Sequence, residues 1–95
     1  MKKVVVFSQI DQDVLARLQQ NYQVVVLNPK LGEINEQIRT EVVDADAMIG
    51  AGRLLNESNL APAQKLKIIS TVSVGYDNYD VGYLNQRKIW LANTP

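Results

Sequence analysis

The chain has 95 residues, 46% of them hydrophobic, with ten basic side chains balancing ten acidic ones. That is enough for one small domain burying about 60–65% of its unfolded surface; the cancelled charge gives no pull toward nucleic acid or an anionic membrane, and no apolar run approaches a bilayer span. Histidine and cysteine are both absent, which removes disulfides, thiolate chemistry, the usual transition-metal ligands and the commonest neutral-pH acid or base, so a cytoplasmic protein that is not a self-contained enzyme is expected.

Met1-Lys2-Lys3 is a basic start, but the apolar stretch after it ends at Ser8 and Gln9, too early for a signal sequence. Residues 4–7 are a continuous apolar run suited to a strand covered on both faces. Asp11 is placed to cap a helix whose inward stripe is Val14, Leu15 and Leu18, and Asn21 ends it. Residues 24–27 form a second strand, stopped by Asn28-Pro29. After a turn at Gly32, Ile34, Ile38 and Val42 recur at the i+4 spacing of a second helix. Residues 46–50 are a short third strand, followed by a loop through Ala51, Gly52 and Arg53. Asn56 caps a short helix containing Leu60, and Pro62 suits only a first helical turn or a break. Residues 67–72 make the fourth strand. Asp80 opens a fourth helix with Val81 and Leu84 inward, weakened by Gly82, and residues 89–92 make a fifth strand.

Five strands alternating with four helices make every connection a βαβ crossover. The expected fold is therefore α/β: a flavodoxin-like, doubly wound, five-stranded parallel sheet of order 2-1-3-4-5 with helices on both faces. That order reverses between strands one and three, and ligands bind at the carboxyl edge of such a reversal. Ser8-Gln9-Ile10, Ala51-Gly52-Arg53 and Ser73-Val74-Gly75 all open there. The stretch 67–80 is the most informative of the three. A buried strand stops at a Gly turn just before a helix, which leaves outward-pointing amides able to hold a small anion.

Each of these residues also has a plainer reading. Val74-Gly75 serves equally as a βα turn with nothing bound. Ser73 either donates to a ligand or caps the turn, and Arg53 either draws in an acid or is a solvated loop arginine. Tyr76 and Tyr79 either wall the cleft or pack against a helix. Asp77 and Asp80 are better explained by capping than as paired catalytic acids, and Asp44 and Asp46 are expected to face water.

The pattern of residues 69–81, Ile-Ser-Thr-Val-Ser-Val-Gly-Tyr-Asp-Asn-Tyr-Asp-Val, resembles the first segment of the D-isomer-specific 2-hydroxyacid dehydrogenases. It is most similar to their glyoxylate/hydroxypyruvate reductase B branch, also described as 2-ketogluconate reductase. Ala47-Met48-Ile49-Gly50, Leu66-Lys67, and Gln86-Arg87-Lys88-Ile89 leading to Asn93-Thr94-Pro95 support the likeness. The resemblance implies that residues 1–95 are the N-terminal part of the substrate-binding domain, with an NAD- or NADP-binding Rossmann domain beyond Thr94-Pro95. It also implies a catalytic Arg, Glu and His outside this chain, and a homodimer for the full-length protein. By residue, it implies that the amides of Val74 and Gly75 grip the substrate carboxylate, and that Gly52 and Arg53 line the substrate side of the cleft. Many relatives carry Gly where Lys88 stands, which implies a different exit from the fourth helix.

The implied function is a piece of an NAD(P)H-dependent 2-ketoacid reductase acting on glyoxylate, hydroxypyruvate or 2-ketogluconate, inactive alone and binding no coenzyme itself. Gly50-Ala51-Gly52 lacks the third glycine of a dinucleotide fingerprint. The alternative is a stand-alone flavodoxin-like binding or receiver-type signalling domain. That reading needs carboxylates after strands one and three, where Ser8-Gln9 and Gly50-Ala51 stand. An excised domain would further expose apolar surface near Trp90 and Pro95.

Overall fold

In the computed structural model, which describes residues 1–51, 54–71 and 79–93, the opening β-branched run forms β1 (Lys3–Val6) and is buried throughout. Asp11 accepts from the amide of Asp13 and starts α1 (Gln12–Asn21), as its position predicts. The chain returns through β2 (Gln23–Val26). Leu27, expected inside that strand, follows it: its amide still donates to the carbonyl of Val6 at 2.9 Å and its side chain is buried. Glu33 caps α2 (Ile34–Glu41), which buries Ile34 and Ile38 and runs on through a 3-10 turn that buries Val42. The remaining elements are β3 (Ala47–Gly50), α3 (Glu57–Leu60), β4 (Ile68–Thr71), α4 (Val81–Gln86) and β5 (Trp90–Asn93). Pro62 lies in the turn that ends α3.

All strand pairs are parallel, in the order β2-β1-β3-β4-β5, with Val5 beside Val25 and Met48, and Ile69 beside Met48 and Leu91. The order is the expected one, and it dictates where the helices go. The step from β1 to β2 runs one way across the sheet and every later step runs the other, so right-handed crossovers put α1 on one face and the other three helices opposite. The packing agrees. Val5, Met48 and Ile69 join Ile34, Ile38, Leu60 and Leu84 in one buried cluster, whereas Leu18 of α1 and Tyr22 just after it line, with Val4, a cleft on the other face. That second face is only partly covered: no residue of α1 is fully buried, Ile68 is 38% exposed and Trp90 76%.

Three expectations fail here for identifiable reasons. Val81 is exposed, lying beside Trp90 and Leu91 at the rim, while Leu84 is buried in the core and Tyr83 packs against it. Asp44 faces water as expected, its side chain 67% exposed, but Asp46 does not. Asp46 accepts from the amide of Lys3 at 2.8 Å and returns its own amide to the carbonyl of Lys3 at 2.9 Å, while Asp44 and Glu41 take the Lys3 ammonium at 2.6 and 3.0 Å. Finally, Lys88 does not change the helix exit. It sits at φ +60°, with its amide on the carbonyl of Asn85 and that of Ile89 on Leu84, the paired bonds of a glycine-type helix ending.

Candidate functional site

The carboxyl edge of the sheet is built by close backbone approach. A Cβ on Gly50 would lie 2.8 Å from the Phe7 ring and from the Ser8 hydroxyl oxygen, so only glycine lets the end of β3 sit against the loop after β1. Ser8 uses that proximity: its hydroxyl oxygen accepts from the amide of Ala51 at 2.7 Å. The two sides of the sheet reversal are thereby pinned together where a ligand crevice is expected.

Gly52 and Arg53, and likewise Ser73, Val74, Gly75, Tyr76 and Asp77, lie outside the described residues. What the structure gives is how both loops are held. The loop through 52 and 53 leaves from Ala51, tied to Ser8, and returns at Leu54, whose carbonyl accepts from Asn59 Nδ2 at 2.8 Å. Asn59 is 2% exposed and also takes the amide of Asn56 on its Oδ1 at 3.0 Å, while Asn56 caps the amide of Ser58. This reciprocal capping makes a four-residue helix viable as an anchor. The loop through 72–78 leaves from Thr71, fully buried in β4, and returns at Tyr79. Leu55 forms a parallel bridge with Tyr79, and its carbonyl accepts the amide of Asp80 at 3.1 Å. The return points of both loops are thus stapled to each other.

Tyr79 therefore belongs to the core, packed in the buried cluster with Leu55, and resolves in favour of packing. Asp80 is the cap it was expected to be, accepting from the amide of Tyr83 at 3.0 Å. This narrows the anion reading. A start amide of α4 is occupied by an acid of the same chain, so any carboxylate grip rests on the loop amides of Val74 and Gly75. Arg87 braces α4 from behind, donating to the carbonyls of Leu60 at 3.3 Å and Ala63 at 2.5 Å and to the Tyr83 hydroxyl.

The main ionic cluster among the described residues lies at the opposite, amino edge of the strands. Burial alone would depress the Lys3 ammonium, but its hydrogen bonds to Asp44 and Glu41 outweigh that and raise its pKa. The Lys3 ammonium in turn holds Asp44 below the ordinary carboxylate value, and the backbone amide of Lys3 does the same for Asp46. These charges join β1 to the end of α2 and to the turn before β3. No described group of three His, Cys, Asp or Glu could hold a metal, and no described helix is long and apolar enough to cross a membrane.

A bound dinucleotide makes a defined demand on such a sheet edge. Its pyrophosphate needs an open helix start behind a glycine turn. Here Asp11 caps α1, Asn56 caps α3 and Asp80 caps α4, and two of those caps carry negative charge. Sequence reasoning put Ser8 on the crevice edge without its bond to Ala51, and it missed Asn59; these two side chains hold the ends of the 52–53 loop. Asn59 had a signal, since Asn three residues after a capping Asn fits a capping box; Ser8 had none beyond its place after β1.

Comparison with known proteins gives a consistent result. Residues 4–95 match the family model described as D-isomer specific 2-hydroxyacid dehydrogenase, catalytic domain. The glyoxylate/hydroxypyruvate reductase B of Escherichia coli (strain K12) is 39% identical over 95 residues, covering 97% of this chain and 28% of that protein. Two solved structures superpose on nearly the whole chain. A 3-phosphoglycerate dehydrogenase with bound NAD+ from Entamoeba histolytica is 27% identical at TM-score 0.83, covering 99% of this chain and 33% of that one. An NADPH-dependent glyoxylate/hydroxypyruvate reductase from Sinorhizobium meliloti, in complex with citrate, is 26% identical at TM-score 0.74, covering 100% and 29%. The chain thus spans a little over a quarter of the length of the curated relatives it matches.

Proposed function

This chain belongs to the D-isomer-specific 2-hydroxyacid dehydrogenases, and from that premise we propose that it is the substrate-carboxylate half of an NAD(P)H-dependent 2-ketoacid reductase. In this reading residues 1–95 are the N-terminal part of the substrate-binding domain. The amides of Val74 and Gly75 hold the carboxylate of glyoxylate, hydroxypyruvate or 2-ketogluconate, Ser73 supports them, and Gly52 and Arg53 line the facing side. The observation that supports the proposal is the staple of Leu55 to Tyr79 and Asp80, which joins the points where the chain returns from the two candidate loops.

The coenzyme, held by a Rossmann domain outside this chain, supplies the hydride. What these residues contribute is position. Fixed amides aimed at a carboxylate orient the keto carbon before reaction, which is worth several kcal/mol of a barrier in general. With no histidine in the sequence and every described helix start at the crevice capped, the chain is expected neither to bind coenzyme nor to turn over. The receiver-type alternative gains no support from the described positions: Ser8 follows β1 and Gly50 ends β3, so the carboxylates that would hold Mg²⁺ and accept a phosphoryl group are missing. NADPH oxidation with glyoxylate tests the proposal. The pure 95-residue chain should show none above the buffer rate, and sustained turnover would refute the claim that the reactive groups lie elsewhere.

A further inference from the structure

The face of the sheet that carries α1 holds a cleft of about 400 Å³ with no assigned role. Strand register sets its floor. Val4, Ala47 and Ile68 lie side by side on β1, β3 and β4, with Ile49 two positions further along β3. Leu18 and Tyr22 form the wall. The cover is partial: Ile68 is 38% exposed, and Trp90, next in the same row on β5, is 76% exposed. An apolar trough of this size left open to solvent is the usual form of a site for a small apolar ligand.

One end of the trough is cationic. Lys2 and Lys67, both exposed, line it where the strands begin. The acid beside them is already engaged: Asp46 is 16% exposed, one oxygen accepts from the amide of Lys3 at 2.8 Å, and the other lies 3.9 Å from the Lys65 ammonium. The amide of Lys3 holds its carboxyl low, and the charges of Lys65, Lys2 and the N-terminus add to that, so several cations surround a single anion. At the far end the described lining, Ile49 and Ser70, is uncharged. From Asp46 to Ile49, and from Lys67 to Ser70, is three residues of strand, about 10 Å. An extended eight-carbon chain is about 9 Å long, since each bond of about 1.5 Å advances it by about 1.25 Å. We propose that this cleft binds a medium-chain alkanoate, with its carboxylate between Lys2 and Lys67 and its tail laid along β3 and β4 beside Leu18 and Tyr22. The site stands apart from the substrate reading, because its charged end is at the amino edge of the sheet. A shorter acid leaves the trough unfilled, and a cationic head is repelled at its mouth.

The test is amide NMR of the ¹⁵N-labelled chain titrated with octanoate, butanoate and octyltrimethylammonium, which separate the tail from the head. Octanoate should shift the amides of Leu18, Ala47, Ile49 and Ile68 to saturation and leave Ile34 and Leu60, on the opposite face, unmoved. It should bind about tenfold tighter than butanoate, which has four fewer methylenes to bury, and than the ammonium, which brings the wrong charge. Lys2→Glu combined with Lys67→Glu changes only exposed side chains. It should weaken octanoate about tenfold and reverse the preference toward the ammonium. No saturable shift with octanoate, equal affinity for all three compounds, movement of Ile34 and Leu60 as well, or unchanged octanoate binding in the double variant would each overturn the proposal.

Discussion

Gly50 and Lys88 are two positions where one backbone site is under strong demand and the sequence answers it in opposite ways. At Gly50 the missing side chain is what allows Phe7 and Ser8 to reach β3. The neighbours that a Cβ would meet are a buried aromatic ring and a hydroxyl engaged with Ala51, neither able to withdraw freely. Gly50→Ala should therefore destabilise the chain by roughly 1–3 kcal/mol, the usual effect of overpacking, and chemical denaturation would show it as a lower midpoint with an unchanged slope. At Lys88 the demand is unmet. The residue takes φ +60° with a full side chain, a left-handed conformation that disfavours all but glycine by about 1–2 kcal/mol. Lys88→Gly should stabilise by roughly 0.5–1 kcal/mol once the greater freedom of glycine in the unfolded chain is deducted. A thermal midpoint that falls instead would mean the Lys88 side chain makes a compensating contact.

At the scale of elements, the shortest helix holds the most consequential anchor. Asn59 satisfies the carbonyl of Leu54 and the amide of Asn56 from a position 2% exposed, and it touches Asn35 of α2 at 3.2 Å. Removing its amide leaves buried backbone groups unpaired, so Asn59→Ala should destabilise by about 2–3 kcal/mol. Amide hydrogen exchange should rise first at Leu54, Leu55 and Asp80, the return points of both site loops; uniform acceleration across the sheet would show that Asn59 supports only global stability. This also explains what the sequence revealed and what it hid. The β-branched runs and i+4 spacings of β1, β2 and α2 report burial directly, and caps at Asp11, Asn56 and Asp80 are local signals, so element order was legible. Strand ends shifted by one residue because Leu27 and Asp46 keep ladder-type hydrogen bonds beyond the strands proper. Val81 misled because periodicity does not say which apolar residue of a first turn reaches the rim. Asp46 was misjudged, and the bond from Ala51 to Ser8 unforeseen, because their partners are 43 positions distant, a pairing that only the folded sheet creates.

Across the whole molecule, the main ionic cluster of the described residues sits at the amino edge of the sheet, opposite the edge where the substrate loops are proposed. There Lys3 of β1 meets Glu41 at the end of α2 and Asp44 in the turn before β3. Asp44 and Asp46 are held below their ordinary value of 3.8 in the folded state, so their contribution is complete above that value and lost as pH falls through the lower folded one. Lys3 is raised above 10.5, so its contribution is complete below that and lost only at higher pH. Stability should thus be flat from about pH 5 to 9 with respect to this cluster, and fall below about pH 4. Lys3→Met should lower the neutral-pH midpoint and flatten the acid limb, seen in thermal melts at pH 7 and pH 3. An acid limb identical to that of the unaltered chain would place the sensitivity elsewhere.

The family resemblance and the fold were both legible from residues 69–81 and the βα alternation, and the family match over residues 4–95 agrees. The grip itself is the point on which the functional proposal turns, and oxalate, a two-carbon acid with the carboxylate geometry of glyoxylate, addresses it directly. Added to the ¹⁵N-labelled chain, it should shift the Val74 and Gly75 amide protons downfield to saturation, while the amides of Val25 on β2 and Leu91 on β5 stay still. Saturable shifts that avoid Val74 and Gly75, or none at any concentration, would contradict it.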